Sequence, residues 1–184
     1  GKFADRLENA EDFDETLHEL VCEAFTKHQR ILFDGNGYSA AWNEEAAARG
    51  VTPAVFTFDR VPKEVITGIP CPLINSPEDR KDLLRRLYGI QEVIMVPFDD
   101  EMRTTAWDEF VTEILIKRYH AVHLVAGHDH HFGHKNAGSP ELLMEKCAEL
   151  GLGCDIIPKV EVAGITVSST YIRRLVELGQ IDRA

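Results

Sequence analysis

Short, almost wholly apolar stretches recur along this chain, each followed by a segment with helix-capping residues, and this alternation constrains the fold more than any other feature. The stretches RILF at 30–33, AVFTF at 54–58, EVIMVPF at 92–98, AVHLVA at 121–126 and CDII at 154–157 read as strands. Between them the helical period and the caps predict helices. One spans 14–28, with Leu17, Leu20, Val21, Ala24 and Phe25 on one face, and another runs from a cap at Ser39 to Gly50. Ser76-Pro77-Glu78-Asp79, Thr105-Ala106-Trp107-Asp108 and Ser139-Pro140-Glu141 open three more, placing acids in first turns and, at two of them, proline at the first position. Ser168-Ser169-Thr170 caps a last helix that Gly179 stops, and 159–167 predicts a small hairpin turning at Ala163-Gly164. Strands that are apolar throughout must be covered on both faces, which specifies an α/β, Rossmann-like fold: a parallel five-stranded sheet with helices on both faces. Ligands in such sheets sit beyond the carboxyl ends of the strands. The segments 34–39, 58–63, 97–105 and 127–138, with the helix start at Ser168, are therefore the places to look for function.

Charge narrows the partners. The formal net charge of −11 over 184 residues opposes non-specific attraction to nucleic acid or an anionic membrane. No apolar run reaches the length of a membrane span, and the charged opening GKFADRLENAEDFDETLHEL is unlike a secretory signal, so a cytoplasmic location is expected. Cys22, Cys71, Cys147 and Cys154 form no CxxC pair and are expected as reduced thiols. Neither repeats nor low-complexity tracts occur.

Three segments carry chemistry. In VSSTYIRR at 167–174, hydroxyl residues at a helix start are followed one turn later by Arg173, an arrangement that can seat a phosphate. Taken alone, the same residues make an ordinary cap beside a solvated arginine. AGHDHHFGHKNAG at 126–138 follows a strand directly; its glycines permit close approach, and Asp129 and Phe132 are placed to meet a base or a ring. His128, His130, His131 and His134 invite a metal reading, but density of histidines in one loop does not supply convergent ligands, and no metal site is expected. TFDRVP at 57–62 ends the second strand.

Together, in this order and at these separations, the segments resemble the FMN adenylyltransferase domain of bacterial FAD synthetases. Thr57-Phe58-Asp59-Arg60-Val61-Pro62 is similar to that family's TFDPHP loop, and Pro97-Phe98-Asp99 with Glu109-Phe110-Val111 to its PF(D/T) segment and EFV helix. Gly127-His128-Asp129-His130-His131-Phe132-Gly133, with Gly138 downstream, matches the G-x-(D/N)-F-x-F-G loop, and Val167 to Arg173 matches ISSTxIR. The resemblance covers about 52–184 and implies a nucleotidylyltransferase fold and transfer of AMP from ATP to FMN, giving FAD and pyrophosphate with Mg2+ as cofactor. It also implies residue roles: Ser168, Ser169, Thr170 and Arg173 at the ATP phosphates, with Gly127 and Asp129 on the nucleotide. Phe58, Asp129 and Phe132 fall beside the flavin, although a core role fits each phenylalanine equally well.

The departures are as specific as the matches. Where the family carries HxGH after its first strand, this chain reads LFDGNGYSA, so the two histidine positions fall on Gly37 and Ala40. Val61 stands where TFDPHP has its histidine, and Thr166 where an arginine is common. Residues 1–50 resemble instead a segment of type III glutamine synthetase, with KHQRILFDGNGYSAAW close to a KHxRIxFNGxGYSxEW pattern. The expected organisation is a helix-strand-helix segment over 1–50, of foreign origin and supplying the first strand, joined to an adenylyltransferase-like domain over 51–184 that stops before the family's riboflavin kinase domain. Three functions stay open: a weakened FMN adenylyltransferase, a non-catalytic flavin- or nucleotide-binding module, or a hybrid fragment. Another acceptor, a pantetheine or a mononucleotide, fits the fold but not the flavin-loop pattern.

Overall fold

The computed structural model describes residues 29–33, 41–159, 161–162, 164–166 and 168–183. Five parallel strands form the centre: β1 (Arg30–Phe33), β2 (Thr52–Phe58), β3 (Glu92–Val96), β4 (Ala121–Gly127) and β5 (Gly153–Ile157). Their order across the sheet is β3-β2-β1-β4-β5, so the winding reverses between β1 and β4 and opens a crevice there. The helix expected over 14–28 and the 34–39 loop lie outside the described residues, as does the Ser39 cap. The helix after β1 is present as α1 (Ala41–Arg49).

The strand side chains alternate between two cores, as the pleat requires. Ile31, Phe33, Val55, Val93 and Val125 point to one face, where Ala46 of α1 and Leu84 of α3 (Pro77–Tyr88) cover them. Leu32, Ala54, Phe56, Leu124 and Ala126 point to the other. There they meet Phe110, Val111 and Leu115, together with Leu143 and Cys147 of α6 (Pro140–Leu150). Helices therefore cover both faces. The edge strand β5 is only half-buried, which its short apolar run CDII did not reveal.

Several helix starts follow the capping residues. Ser76 Oγ accepts from Asp79 N at 3.0 Å, Ser139 Oγ from Leu142 N at 3.3 Å, and Ser168 Oγ from Tyr171 N at 3.2 Å at the head of α7 (Ser169–Glu177). The small hairpin is β6 (Glu161–Val162) against β7 (Ile165–Thr166). Three departures have physical causes. Residues 58–63 do not stay a loop, because Pro62 starts the six-residue helix α2 (Pro62–Thr67) without any side-chain cap at Val61. Asp99 caps a further short helix, α4 (Asp100–Thr104), accepting from Met102 N at 2.9 Å. Thr105 therefore closes α4 instead of opening the next helix, its hydroxyl donating to Glu101 O at 2.8 Å. That next helix, α5 (Trp107–Glu109), runs on into a π-helical stretch, Phe110–Arg118. No helix among the described residues is long and apolar enough to cross a membrane.

Candidate active site

A cavity of about 970 Å³ opens beyond the carboxyl ends of the strands, where this sheet order places ligands. Its floor is Leu32 and Phe33 of β1, Phe56 to Phe58 of β2, and Leu124 to Ala126 of β4. One wall is aromatic. Phe58 meets Phe98 edge-on, with ring centroids 4.9 Å apart, and Phe56 meets Phe58 and Phe110 at 5.6 Å each. The loop after β4 continues the lining, with His130 stacked on Phe132 at 5.4 Å and Phe132 against Phe110 at 5.9 Å.

That loop is held in place by close approaches. Gly133 has φ 72°, and any side chain there would run into the Trp107 backbone. Gly138 lies under the Phe132 ring and pairs with Phe132 through two backbone hydrogen bonds of 3.3 and 2.9 Å. His134 clips the loop to the end of α4, its backbone N–H donating to Thr105 O at 2.8 Å and its Nδ1–H to Arg103 O at 3.2 Å. Lys135 and Asn136 follow with φ of 55° and 56°, a left-handed pair without glycine, and both line the cavity.

The charge of the lining is one-sided. Arg60, Arg80, Arg103, Lys135 and Arg173 face the cavity, with His130, His131 and His134, and no Asp or Glu lines it among the described residues. The chain has 31 acidic residues, so this is a cationic hollow in an acidic protein. Arg103 is paired with Asp100 at 3.0 Å. Arg173 donates through Nε to Pro72 O at 2.9 Å, tying the last helix to the segment after α2. Arg80 donates through Nη1 to Thr57 Oγ1 at 3.0 Å and to Phe58 O at 3.2 Å.

Of the residues singled out by sequence, Phe58, Phe132 and Arg173 line this cavity. Phe132 is also core, packed against Trp107 and Phe110. Ser168 and Thr170 are exposed and outside the lining, and the Ser168 hydroxyl is engaged as the α7 cap. Ser169 begins α7; its backbone is described but its side chain is not. Gly127 ends β4 with its carbonyl accepting from His130 N at 3.1 Å, while Asp129 is exposed and its carbonyl accepts from His131 Nδ1 at 2.9 Å. Asp59, next to Phe58, braces the floor by accepting from Phe98 N at 3.0 Å. Arg80 and Arg103 had no motif to announce them, and Lys135 went unremarked inside the 126–138 segment; only the folded chain brings them to one hollow.

No three described His, Cys, Asp or Glu residues converge in a way that would hold a metal ion. Among the described residues the lining oxygens are those of neutral side chains and the backbone, a set that does not fit a protein-held Mg2+, which takes carboxylates. Two perturbed thiols lie beneath α6, away from the cavity. Cys154 is raised by its hydrogen bond with Cys147 and by burial, which keeps it protonated. His123, buried in β4, contacts Arg49 Nη1 through Nδ1 at 2.9 Å and Asp155 through Nε2 at 2.6 Å. An arginine only donates, so Nδ1 accepts and the ring proton sits on Nε2. This network braces the sheet and does not reach the cavity.

A doubly wound parallel sheet with a cationic, aromatic-walled cavity at its switch point defines the class: a Rossmann-like α/β protein. Within that class the chain belongs to the FAD synthetase family, whose model matches residues 39–171. It is 29% identical over 162 residues to a bifunctional riboflavin kinase/FMN adenylyltransferase of Pseudomonas fluorescens, across 85% of this chain and 48% of that protein. The chain thus spans about half the length of that relative. A shorter match, 42% identical over 43 residues, is to a glutamine synthetase of Butyrivibrio fibrisolvens and covers 23% of this chain and 6% of that one. The crystal structure of a macrolide-efflux protein from Streptococcus pneumoniae superposes with a TM-score of 0.70 at 23% identity, covering 85% of this chain and 63% of that chain, a likeness of fold.

Proposed function

We propose that this chain is an FMN adenylyltransferase, weakened relative to its relatives, that joins the AMP moiety of ATP to FMN and releases pyrophosphate. The observation that carries this reading is the cationic cavity with an aromatic wall, lined by no acid among the described residues, in a chain of the FAD synthetase family. Both substrates are polyanions with planar apolar bodies, so a hollow offering arginines and phenylalanines together suits each of them.

In the reaction a phosphate oxygen of FMN attacks the α-phosphorus of ATP while the bond to the pyrophosphate oxygen breaks. The protein forms no covalent bond; it aligns two anions that repel one another and neutralises charge as it develops. Arg173 is assigned to the leaving pyrophosphate. The helix start at Ser168, Ser169 and Thr170 and the loop from Gly127 through Asp129 are assigned to the nucleotide, and Phe58 and Phe132 to the flavin. Mg2+ would travel with the triphosphate, since the described lining residues give it no carboxylate. No HxGH follows the first strand, which removes two donors expected at the phosphates from that position, each typically contributing on the order of 10²–10³ in rate, and this is why turnover is expected to be slow.

The test is incubation with FMN, ATP and Mg2+, following FAD by chromatography together with pyrophosphate release. FAD formation that falls by about 10²–10³ in Arg173→Ala supports the assignment; formation unaffected by that change defeats the role of Arg173. Absence of FAD alongside tight binding of FMN or ATP selects the second reading, a flavin- or nucleotide-binding module without turnover, which the missing histidines favour. Location in the cytoplasm and the small-molecule substrates ATP and FMN as partners, without nucleic acid or membrane, go with either reading.

A further inference from the structure

The cation held against the carboxyl end of β2 is the least explained group in the cavity. Arg80, half-buried in the first turn of α3, spends Nη1 on Thr57 Oγ1 and the Phe58 carbonyl at 3.0 and 3.2 Å. Those two bonds fix the guanidinium plane at the carboxyl end of the strand. Among the described residues its Nε and Nη2 have no protein partner and no carboxylate pairs with it. A partly desolvated charge without a counter-charge is costly, and evolution ordinarily removes or pairs it. A ligand anion supplies the missing partner.

Position decides whose anion it is. Arg80 holds the Thr57–Phe58 end of β2, one strand away from the β1/β4 crevice where the nucleotide is expected. Beside it is the edge-on pair of Phe58 and Phe98 at 4.9 Å, a surface matched to a flat ring system. An anion reaching Arg80 is therefore carried by the ring-bearing acceptor. A pre-oriented guanidinium fork with two open donors fits a phosphate monoester. Resting on the flavin reading above, we propose that Arg80 binds the phosphate of the flavin mononucleotide and makes this cavity prefer the phosphorylated flavin over riboflavin.

The test is equilibrium binding of FMN and of riboflavin, read by flavin fluorescence quenching, with ATP affinity measured in parallel. Arg80→Gln keeps donors for Thr57 and Phe58 but removes the charge. It should weaken FMN binding by about 10- to 100-fold and leave riboflavin and ATP within about twofold, while Arg80→Lys falls between. Equal losses for FMN and riboflavin, a loss confined to ATP, or no change each overturn the proposal. Should Arg80→Gln melt too low to assay, Arg80→Lys decides alone: an unchanged ratio of FMN to riboflavin affinity overturns it and a reduced ratio supports it. Wild-type protein that binds neither flavin refutes the flavin reading itself, an outcome separate from a failure of Arg80 alone.

Discussion

Replacing Gly138 by alanine tests the architecture of the cavity wall in a single atom. A Cβ at that position would lie 2.8 Å from Cε2 and Cζ of Phe132 and 2.9 Å from its Cδ2. Carbon atoms rest at about 3.5–4.0 Å, so the ring or the strand-like bridge must yield by roughly 0.7 Å or more. The ring has nowhere to go within the core: Trp107 and Phe110 flank it at 6.4 and 5.9 Å, and it is 7% exposed. Overpacking of this kind costs about 1–3 kcal/mol, which for a chain of this size lowers Tm by about 2–4 °C per kcal/mol. The free direction is the cavity, so the ring should also intrude there and weaken flavin binding. Thermal melts of Gly138→Ala, Phe132→Leu and the double variant separate the effects, because the shorter leucine relieves the contact. The expected coupling is favourable, about 1 kcal/mol or more. A Gly138→Ala protein that melts with the wild type, or strictly additive single and double variants, would refute this account of why the position is a glycine.

Two further outcomes are expected away from the cavity. Arg30 reaches from β1 across β2 to Glu92 with bonds of 2.6 and 3.1 Å and also donates to Tyr119 O at 3.1 Å. A double-mutant cycle on Arg30→Met and Glu92→Gln should show coupling of roughly 1–2 kcal/mol, between the exposed and buried limits, and a value near zero would count against the pair. Glu141 is held below the usual carboxylate range by the Ser139 hydroxyl, 2.7 Å from Oε2. A depressed folded pKa means that the contribution is present above the unfolded value and is lost as pH falls through the folded one. NMR titration should therefore show a low midpoint for Glu141 that rises in Ser139→Ala; identical midpoints would remove the hydrogen bond as its cause.

The sheet was legible because its cause is local. The apolar runs at 30–33, 54–58, 92–98, 121–126 and 154–157 each mark a strand within a few residues, and Ser76, Ser139 and Ser168 cap the helices they announce. The short helices α2 and α4 escaped because five or six residues cannot display a helical period, although Asp99 at the head of α4 was a readable cap. The π-helical winding at 110–118 escaped because it arises from packing, which no capping residue signals. At the site, Phe58, Phe132 and Arg173 were found through motifs that lie contiguous in the chain. Arg80 was not, because its meaning comes from neighbours far away in sequence. Arg80 acquires its role from Thr57, 23 positions earlier.

The place of β1 at the centre of the sheet has a consequence for how the chain can be cut and how it folds. Four residues, Arg30–Phe33, pair with β2 on one side and β4 on the other. Without them the sheet separates into a β3-β2 half and a β4-β5 half, each with an apolar edge exposed to its neighbours. A truncation at residue 50 thus removes the keystone of the sheet and leaves two aggregation-prone pairs of strands. During synthesis β1 meets β2 early but waits for β4, whose Ala121 lies opposite Arg30. Until that segment has left the ribosome, Ile31, Leu32 and Phe33 present an unpaired edge, and this interval is when the chain most needs a chaperone.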